Sequence, residues 1–246
     1  MKLTVGIVVV GSLFWDNDLL HRKNWRRSRL QMDKAVGVKV PIRYGRRSSS
    51  RGNTYTMVFS PGCELGRAKA VPCTRSVSCL EGMIEEAEYL WAAEQPSEPA
   101  PGRKKLLSAN WGCVSLLAHP QLLQSPSKNL IREVLDGWAA RVALEGNYDG
   151  KNYDGPDGRC LVDDKGILQI SWPDVTDLSE PLPFDVMLAT ATKATPEAGD
   201  YPSANVVAQA WKSDKEGNEK YFWHNREHGI TTFQDDKIFE ISAGPA

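Results

Sequence analysis

Along the first half of the chain the apolar positions keep two different rhythms. Leu3 to Val10 is an almost unbroken run of branched apolar residues, which predicts a strand buried on both faces. Asn17 to Gln31 is polar and basic, with Leu19, Leu20, Trp25 and Leu30 as its apolar anchors. Val36 to Arg43 sets Val36, Val38, Val40 and Ile42 at every second position, the period of a half-buried strand. Arg46 to Asn53 reads as a loop of Ser and Arg. Thr54 to Ser60 reads as a short strand, Pro61-Gly62 as its turn and Leu65 to Val71 as the next strand. The rhythm then becomes helical. Leu80, Met83, Ile84, Ala87, Leu90 and Trp91 share one face of a segment running from Ser78, the expected cap, to Glu94.

Further on, "QPSEPAPGR" (Gln95 to Arg103) is a Pro-rich loop, Trp111 to Ala118 predicts a strand and Asn129 to Leu144 a second amphipathic helix. "NYDGKNYDGPDGR" (Asn147 to Arg159) is rich in turn residues and repeats Asn-Tyr-Asp-Gly. Strands are expected at Leu161 to Ser171 and Phe184 to Thr192, and Val206 to Trp211 fits strand or helix. Gly229 to Ile241 reads as a hairpin turning at Asp235-Asp236. Many strands and two or three helices without regular alternation point to an α+β fold, a mixed sheet or barrel with a few packed helices. The expected organisation is a core over residues 1–146 and a C-terminal elaboration over 147–246, packed together as one domain.

Composition narrows the class. With 41% hydrophobic residues and eight tryptophans the chain can build a sizeable core. It has no apolar run near the ~20 residues of a membrane-crossing helix, so no membrane partner is expected. Five scattered cysteines do not resemble a disulfide framework and predict reduced thiols and a cytoplasmic location. Lys2 and the apolar Leu3 to Trp15 imitate a signal peptide. Gly6 and Gly11 break that run, however, and Asp-Asn-Asp follows it instead of a small-residue cleavage site, so a first strand is expected.

Charge is unevenly spread. Residues 22 to 51 hold eleven Lys or Arg against one acid, Asp33, although the whole chain carries a net charge of −1. Two readings fit. One is a solvated face that meets acidic residues of the same fold. The other is a surface for an anionic ligand or a nucleic acid, with Trp25 and Tyr44 stacking on bases.

Two short motifs suggest chemistry. At the end of the first predicted strand, Gly11 allows a turn with positive φ, and the N–H groups of Gly11, Ser12 and Leu13 then have the makings of an anion cradle. "HNREH" (His224 to His228) fits the inverted zinc-protease pattern, but a catalytic zinc needs a third protein ligand that the sequence does not supply clearly. Nucleotide-phosphate and calcium-loop motifs are absent, and no metal or cofactor is expected.

Several segments line up in order with a known pattern. They are Gly11-Ser12-Leu13-Phe14-Trp15 after the first strand, "PIRYGRRSSSRGNTYTMVFSPG" from Pro41, "ELGRAKAV" from Glu64 and the helix end "EYLWAAEQ" from Glu88. Together they resemble the gamma-glutamyl cyclotransferase-like family over roughly residues 1 to 120. Val10 stands where the family usually has Tyr. Ala93 stands where Arg often precedes the glutamate, and the usual Gly-Tyr pair does not follow it. The resemblance implies a barrel-like fold and release of 5-oxoproline from a small gamma-glutamyl substrate. It implies Glu94 as base and Val10, Gly11, Ser12 and Leu13 as substrate-binding residues. Glu86 and Glu88 take the base's place if the register differs. Arg43, Arg46 and Arg51 are candidates to pair with a substrate carboxylate, Arg43 foremost.

Overall fold

The computed structural model of the chain describes residues 2–48, 53–100, 102, 105–124, 128–146, 153–176, 181–195, 199–213 and 215–243. Its centre is a sheet of eight strands: β1 (Val5–Val9), β2 (Val36–Ser48), β3 (Thr54–Phe59), β4 (Leu65–Pro72), β5 (Leu107–Ser108), β6 (Gly112–Ala118), β7 (Asp174–Val175) and β8 (Val186–Thr192). The order is β3-β2-β4-β1-β8-β6-β5, with β7 added on β2. All pairings are antiparallel except β1 with β8. All five residues of β1 are buried, as an apolar run without a polar face requires. β8, from the C-terminal hundred residues, is hydrogen-bonded between β1 and β6, so the sheet falls into two pieces without it.

Six helices accompany the sheet among the described residues: α1 (Leu20–Arg29), α2 (Leu80–Glu94), α3 (Lys128–Glu145), α4 (Ala204–Ser213), α5 (Lys215–Glu227) and α6 (Asp235–Ala243). α2 buries Met83, Ala87, Leu90 and Trp91, the face its periodicity marks out. Its N-cap is Cys79 with no side-chain cap bond, not Ser78. The fold is therefore mixed α and β around a large mixed sheet. It is not a closed barrel, because the terminal strands β3 and β5 do not pair with each other.

Three expectations are corrected. The hairpin at Gly229 to Ile241 is instead a turn leading into α6. The Thr232 N–H and hydroxyl both donate to Asp235 Oδ1, and the Gln234 N–H donates to Thr232 Oγ1. That is a helix-start arrangement of the capping-box kind, not the apex of a hairpin. The strand at Leu161 to Ser171 is reduced to isolated bridges, Val162 with Leu168 and Leu116 with Ile167. Asp163 accepts the N–H groups of Lys165 and Ile167 and turns the chain there. β2 continues past Arg43 to Ser48 through a register shift between Tyr44 and Arg46, so part of the expected loop is strand, and residues 49–52 lie outside the described ones. The ambiguous stretch at Val206 is α4, begun at Ser203, whose hydroxyl accepts the Val206 N–H.

One buried carboxyl in this framework keeps an oxygen without a hydrogen-bond partner among the described residues. Asp235 is 1% exposed, and its Oδ2 and the neighbouring Tyr44 Oη each lack a hydrogen bond of ordinary geometry. Burial pushes the Asp235 carboxyl up to about 6, against the opposing pull of its bonds from Thr232. The folded state thus holds this proton more tightly than the unfolded chain does. The resulting stability is fully present below the unfolded value of 3.8 and is lost as pH rises through about 6. Asp235→Asn keeps the Oδ1 acceptor and removes the charge. Its unfolding free energy should exceed that of the unsubstituted protein by about 1 kcal/mol at pH 4.5 and by about 3 kcal/mol at pH 7.5. Urea melts of the two proteins at both pH values check this, and a gap that does not widen with pH would show that Asp235 stays ionised at no cost.

Candidate functional site

Because β1 and β8 are the parallel pair, their carboxyl ends emerge on the same side of the sheet. Ligands of mixed and parallel sheets commonly bind there. A cavity of about 710 Å³ opens at that edge, within the usual range for a small-molecule site. Val10, Ser12 and Leu13 line it from the end of β1, and Thr190 and Thr192 from β8. Arg46, Ser48 and Thr56 line it from β2 and β3, where Arg46 lies opposite Thr56 and Ser48 opposite Thr54. Strands as far apart in the sheet order as β3 and β8 thus share one cavity, so the sheet curls around it.

The chain leaves β1 through a single 3₁₀ turn, Gly11–Leu13. Gly11 has φ +72°, a conformation glycine adopts without strain. A Cβ on Gly11 would lie 2.3 Å from Tyr221 Oη, so the absence of a side chain also makes room for α5. Tyr221 Oη accepts the Met57 N–H at 3.3 Å and lines the cavity with it. The N–H groups opening the turn have no acceptor within it, as at any helical start. Ser12 Oγ makes no hydrogen bond among the described residues, and Ser12 is 9% exposed.

Two buried arginines of α1 hold this loop. Arg26 donates to Leu13 O at 2.7 Å, Asp16 O at 2.5 Å and Asn17 Oδ1 at 2.7 Å. Burial and the neighbouring Arg22 lower its pKa from the usual arginine value, a sign of how closely the two cations are confined. Arg22 donates through Nη1 to Asp16 Oδ2 at 2.6 Å and through Nε to Ala93 O at 2.9 Å. With His21, whose Nε2 lies 3.2 Å from Gln95 O, it occupies the carbonyl end of α2, where cations are favoured. The packing of α1 on α2 thus places Glu94, the last residue of α2, beside Arg22. Glu94 Oε1 accepts from Thr190 Oγ1 at 2.9 Å and Oε2 stands 4.0 Å from Arg22 Nη2. Glu94 keeps 21% of its side chain exposed and lines the cavity.

The structure therefore brings Val10, Ser12, Leu13 and Glu94 to one cavity, with Gly11 behind them as the hinge of the loop. Arg43 is not among the lining residues. Its guanidinium lies 4.2 Å from the Tyr201 ring centroid and 5.6 Å from that of Phe233. Arg46, one register shift further along β2, takes the cavity position instead. Glu86 pairs with Arg29 at 3.0 Å and Glu88 with Arg141 at 2.9 Å, both away from the cavity. Burial raises the Glu86 carboxyl pKa against the pull of Arg29. Asp16, Arg22, Thr190 and Tyr221 are the site residues that sequence reading missed. Only Arg22 left a signal, as the first residue of the basic stretch.

Three of the eleven basic residues in that stretch are used within the fold, since Arg22 and Arg26 serve the loop and Arg29 bonds Glu85 at 2.7 Å. Trp25 and Tyr44, the residues suited to stacking on bases, are 5% and 0% exposed. In "HNREH", His224 stacks on Trp15 with ring centroids 4.8 Å apart, and His228 Nδ1 lies 2.7 Å from His224 O. No group of three or more potential metal ligands occurs among the described residues. All five cysteines are free thiols, and no described helix is long and apolar enough to cross a membrane.

Gly11 and Tyr221 are expected to be coupled. Gly11→Ala should lower the unfolding free energy by about 1–3 kcal/mol, from the positive φ and the clash with Oη together. In a Tyr221→Phe background the clash is relieved, so the same substitution should cost clearly less. A double-mutant cycle by denaturant unfolding measures this, and strictly additive costs would mean that the hydroxyl does not limit position 11. The chain matches no protein-family model, no curated protein and no solved structure.

Proposed function

We propose that this cavity releases 5-oxoproline from a gamma-glutamyl amino acid, peptide or amine. The observation that carries the reading is the meeting of the Ser12-Leu13 loop and Glu94 in one cavity. A gamma-glutamyl compound carries its own nucleophile, the α-amine, and its own electrophile, the γ-carbonyl. What it lacks is the bent conformation and the proton transfers. A cavity that holds the chain folded supplies much of the rate through proximity.

Glu94 accepts a proton from the α-ammonium. The freed amine attacks the γ-carbonyl carbon, forming the ring C–N bond and a tetrahedral oxyanion. The backbone N–H groups of the first turn stabilise that oxyanion. Collapse breaks the C–N bond to the leaving amine, which takes the proton held by Glu94, and the extra proton on the ring nitrogen passes through the freed carboxylate to that amine, which departs as an ammonium and leaves the neutral lactam. Thr190 Oγ1, bonded to Oε1, fixes the carboxylate and leaves Oε2 on the side of Arg22.

The test is an endpoint assay with glutathione, gamma-glutamyl amino acids and gamma-glutamyl amines, quantifying 5-oxoproline by mass spectrometry beside Glu94→Gln. Product from at least one class should appear and fall by at least about a hundredfold in the variant, the scale of general-base catalysis. Product that survives the substitution removes Glu94 from the role of base. An absence of product from all three classes removes the reaction itself.

A further inference from the structure

Arg22 is buried to 3% exposure, yet one of its guanidinium nitrogens makes no hydrogen bond among the described residues. Nε and Nη1 are committed to Ala93 O and Asp16 Oδ2. Nη2 has no hydrogen bond among the described residues, and Glu94 Oε2, at 4.0 Å, is beyond bonding distance. A buried guanidinium with an unmatched arm is costly, since hydrogen bonds to charged groups carry the larger penalties when lost. Nη2 is nevertheless not among the donors sealed inside the protein without a partner, and Arg22 lines the cavity. The free arm is therefore open to whatever occupies that cavity.

Its neighbours complete a pattern. On one side is the carboxylate of Glu94, steadied by Thr190. The unbonded hydroxyl of Ser12 lines the same cavity. Nη1 is already matched by Asp16, so Arg22 and Glu94 offer one donor arm and one acceptor side by side. An α-amino-acid head group carries an ammonium and a carboxylate on one carbon, the complementary arrangement. A planar guanidinium suits a carboxylate better than an ammonium cation does.

We propose that Arg22 Nη2, with Ser12 Oγ, binds the α-carboxylate of an α-amino-acid head group while Glu94 faces its α-ammonium. Arg22 is then the residue that selects ligands with a free α-carboxylate. The inference rests on the reading of the cavity as a gamma-glutamyl site, and it says which end of the substrate lies where. It makes the head group obligatory and leaves the rest of the cavity to the leaving group.

The test uses L-glutamine and 4-aminobutanamide, the same molecule without its α-carboxylate, in calorimetric titrations that do not depend on turnover. The unsubstituted protein should bind L-glutamine at least roughly tenfold more tightly, the scale of one charged hydrogen bond. Arg22→Lys keeps a cation beside Asp16 and lacks the second arm, so it should lose that preference. In the unsubstituted protein the Arg22 guanidinium resonances should shift with L-glutamine and not with 4-aminobutanamide, an NMR readout that needs no variant to fold. Equal binding of the two ligands, no binding of either, a preference that survives Arg22→Lys, or unmoved Arg22 resonances would overturn the assignment. A protein that shows the preference but forms no 5-oxoproline keeps this inference and loses the cyclotransferase reading. Turnover without a role for the α-carboxylate does the reverse.

Discussion

A guanidinium taken out of water must find acceptors, and the site is built around two that were taken out together. Arg22 and Arg26 both belong to α1; Arg22 recruits one backbone carbonyl and Arg26 two, each with a side-chain oxygen as well. The carbonyls of Leu13 and Asp16 fix the loop after β1, and the carbonyl of Ala93 fixes the end of α2. Asp16 supplies the balancing charge. Removing one member of such a buried set typically costs about 3–5 kcal/mol, because the other is left charged and unmatched. The loop and the glutamate, about 80 residues apart in sequence, are thus held to a common anchor instead of to each other.

The sheet provides the second condition. Neighbouring strands run antiparallel everywhere except at β1 and β8, and only a parallel pair delivers two carboxyl ends to the same edge. Through β1 that edge receives the Ser12-Leu13 loop, and through β8 it receives Thr190, the partner of Glu94. The strand supplying Thr190 comes from the C-terminal part of the chain, and so does Tyr221, which fills the space left by the missing side chain of Gly11. Both regions of the chain therefore contribute to one wall.

Local rhythm made the elements of the first half legible. β1, β3, β4, β6, α2 and α3 follow from alternation, from an all-apolar run or from helical spacing, each a property of a short window. The failures came where a local signal had two meanings. Asp235-Asp236 looks like a turn, but Thr232 three residues earlier makes it the opening of a helix. Leu161 to Ser171 has strand composition, but Asp163 binds the backbone ahead of it and bends the chain. Ser12, Leu13 and Glu94, singled out through the family resemblance, line one cavity, since a strand-end loop and a helix end can be placed from short windows of sequence. Arg43 was chosen over Arg46 because a strand's facing cannot be counted across a register shift that the sequence does not announce. Arg22 was hidden in a charge run, since composition distinguishes neither a buried cation from a solvated one nor a committed donor from a free one.

That last distinction decides what kind of ligand the basic stretch can serve. A nucleic acid needs several exposed cations along a surface and flat rings within reach of its bases. Here three of the arginines are used on carbonyls and carboxylates of the same fold, and Trp25 and Tyr44 are in the core. What remains at the cavity is finer: one open guanidinium arm, one open hydroxyl and one carboxylate with a side turned inward. Opposite charges spaced at 4.0 Å form a loose ion pair without a hydrogen bond, which leaves room for a ligand group that bonds to both. A long polyanion would find its charge opposed by Asp16 and Glu94 in that wall, whereas a small zwitterion would find each of its charges met.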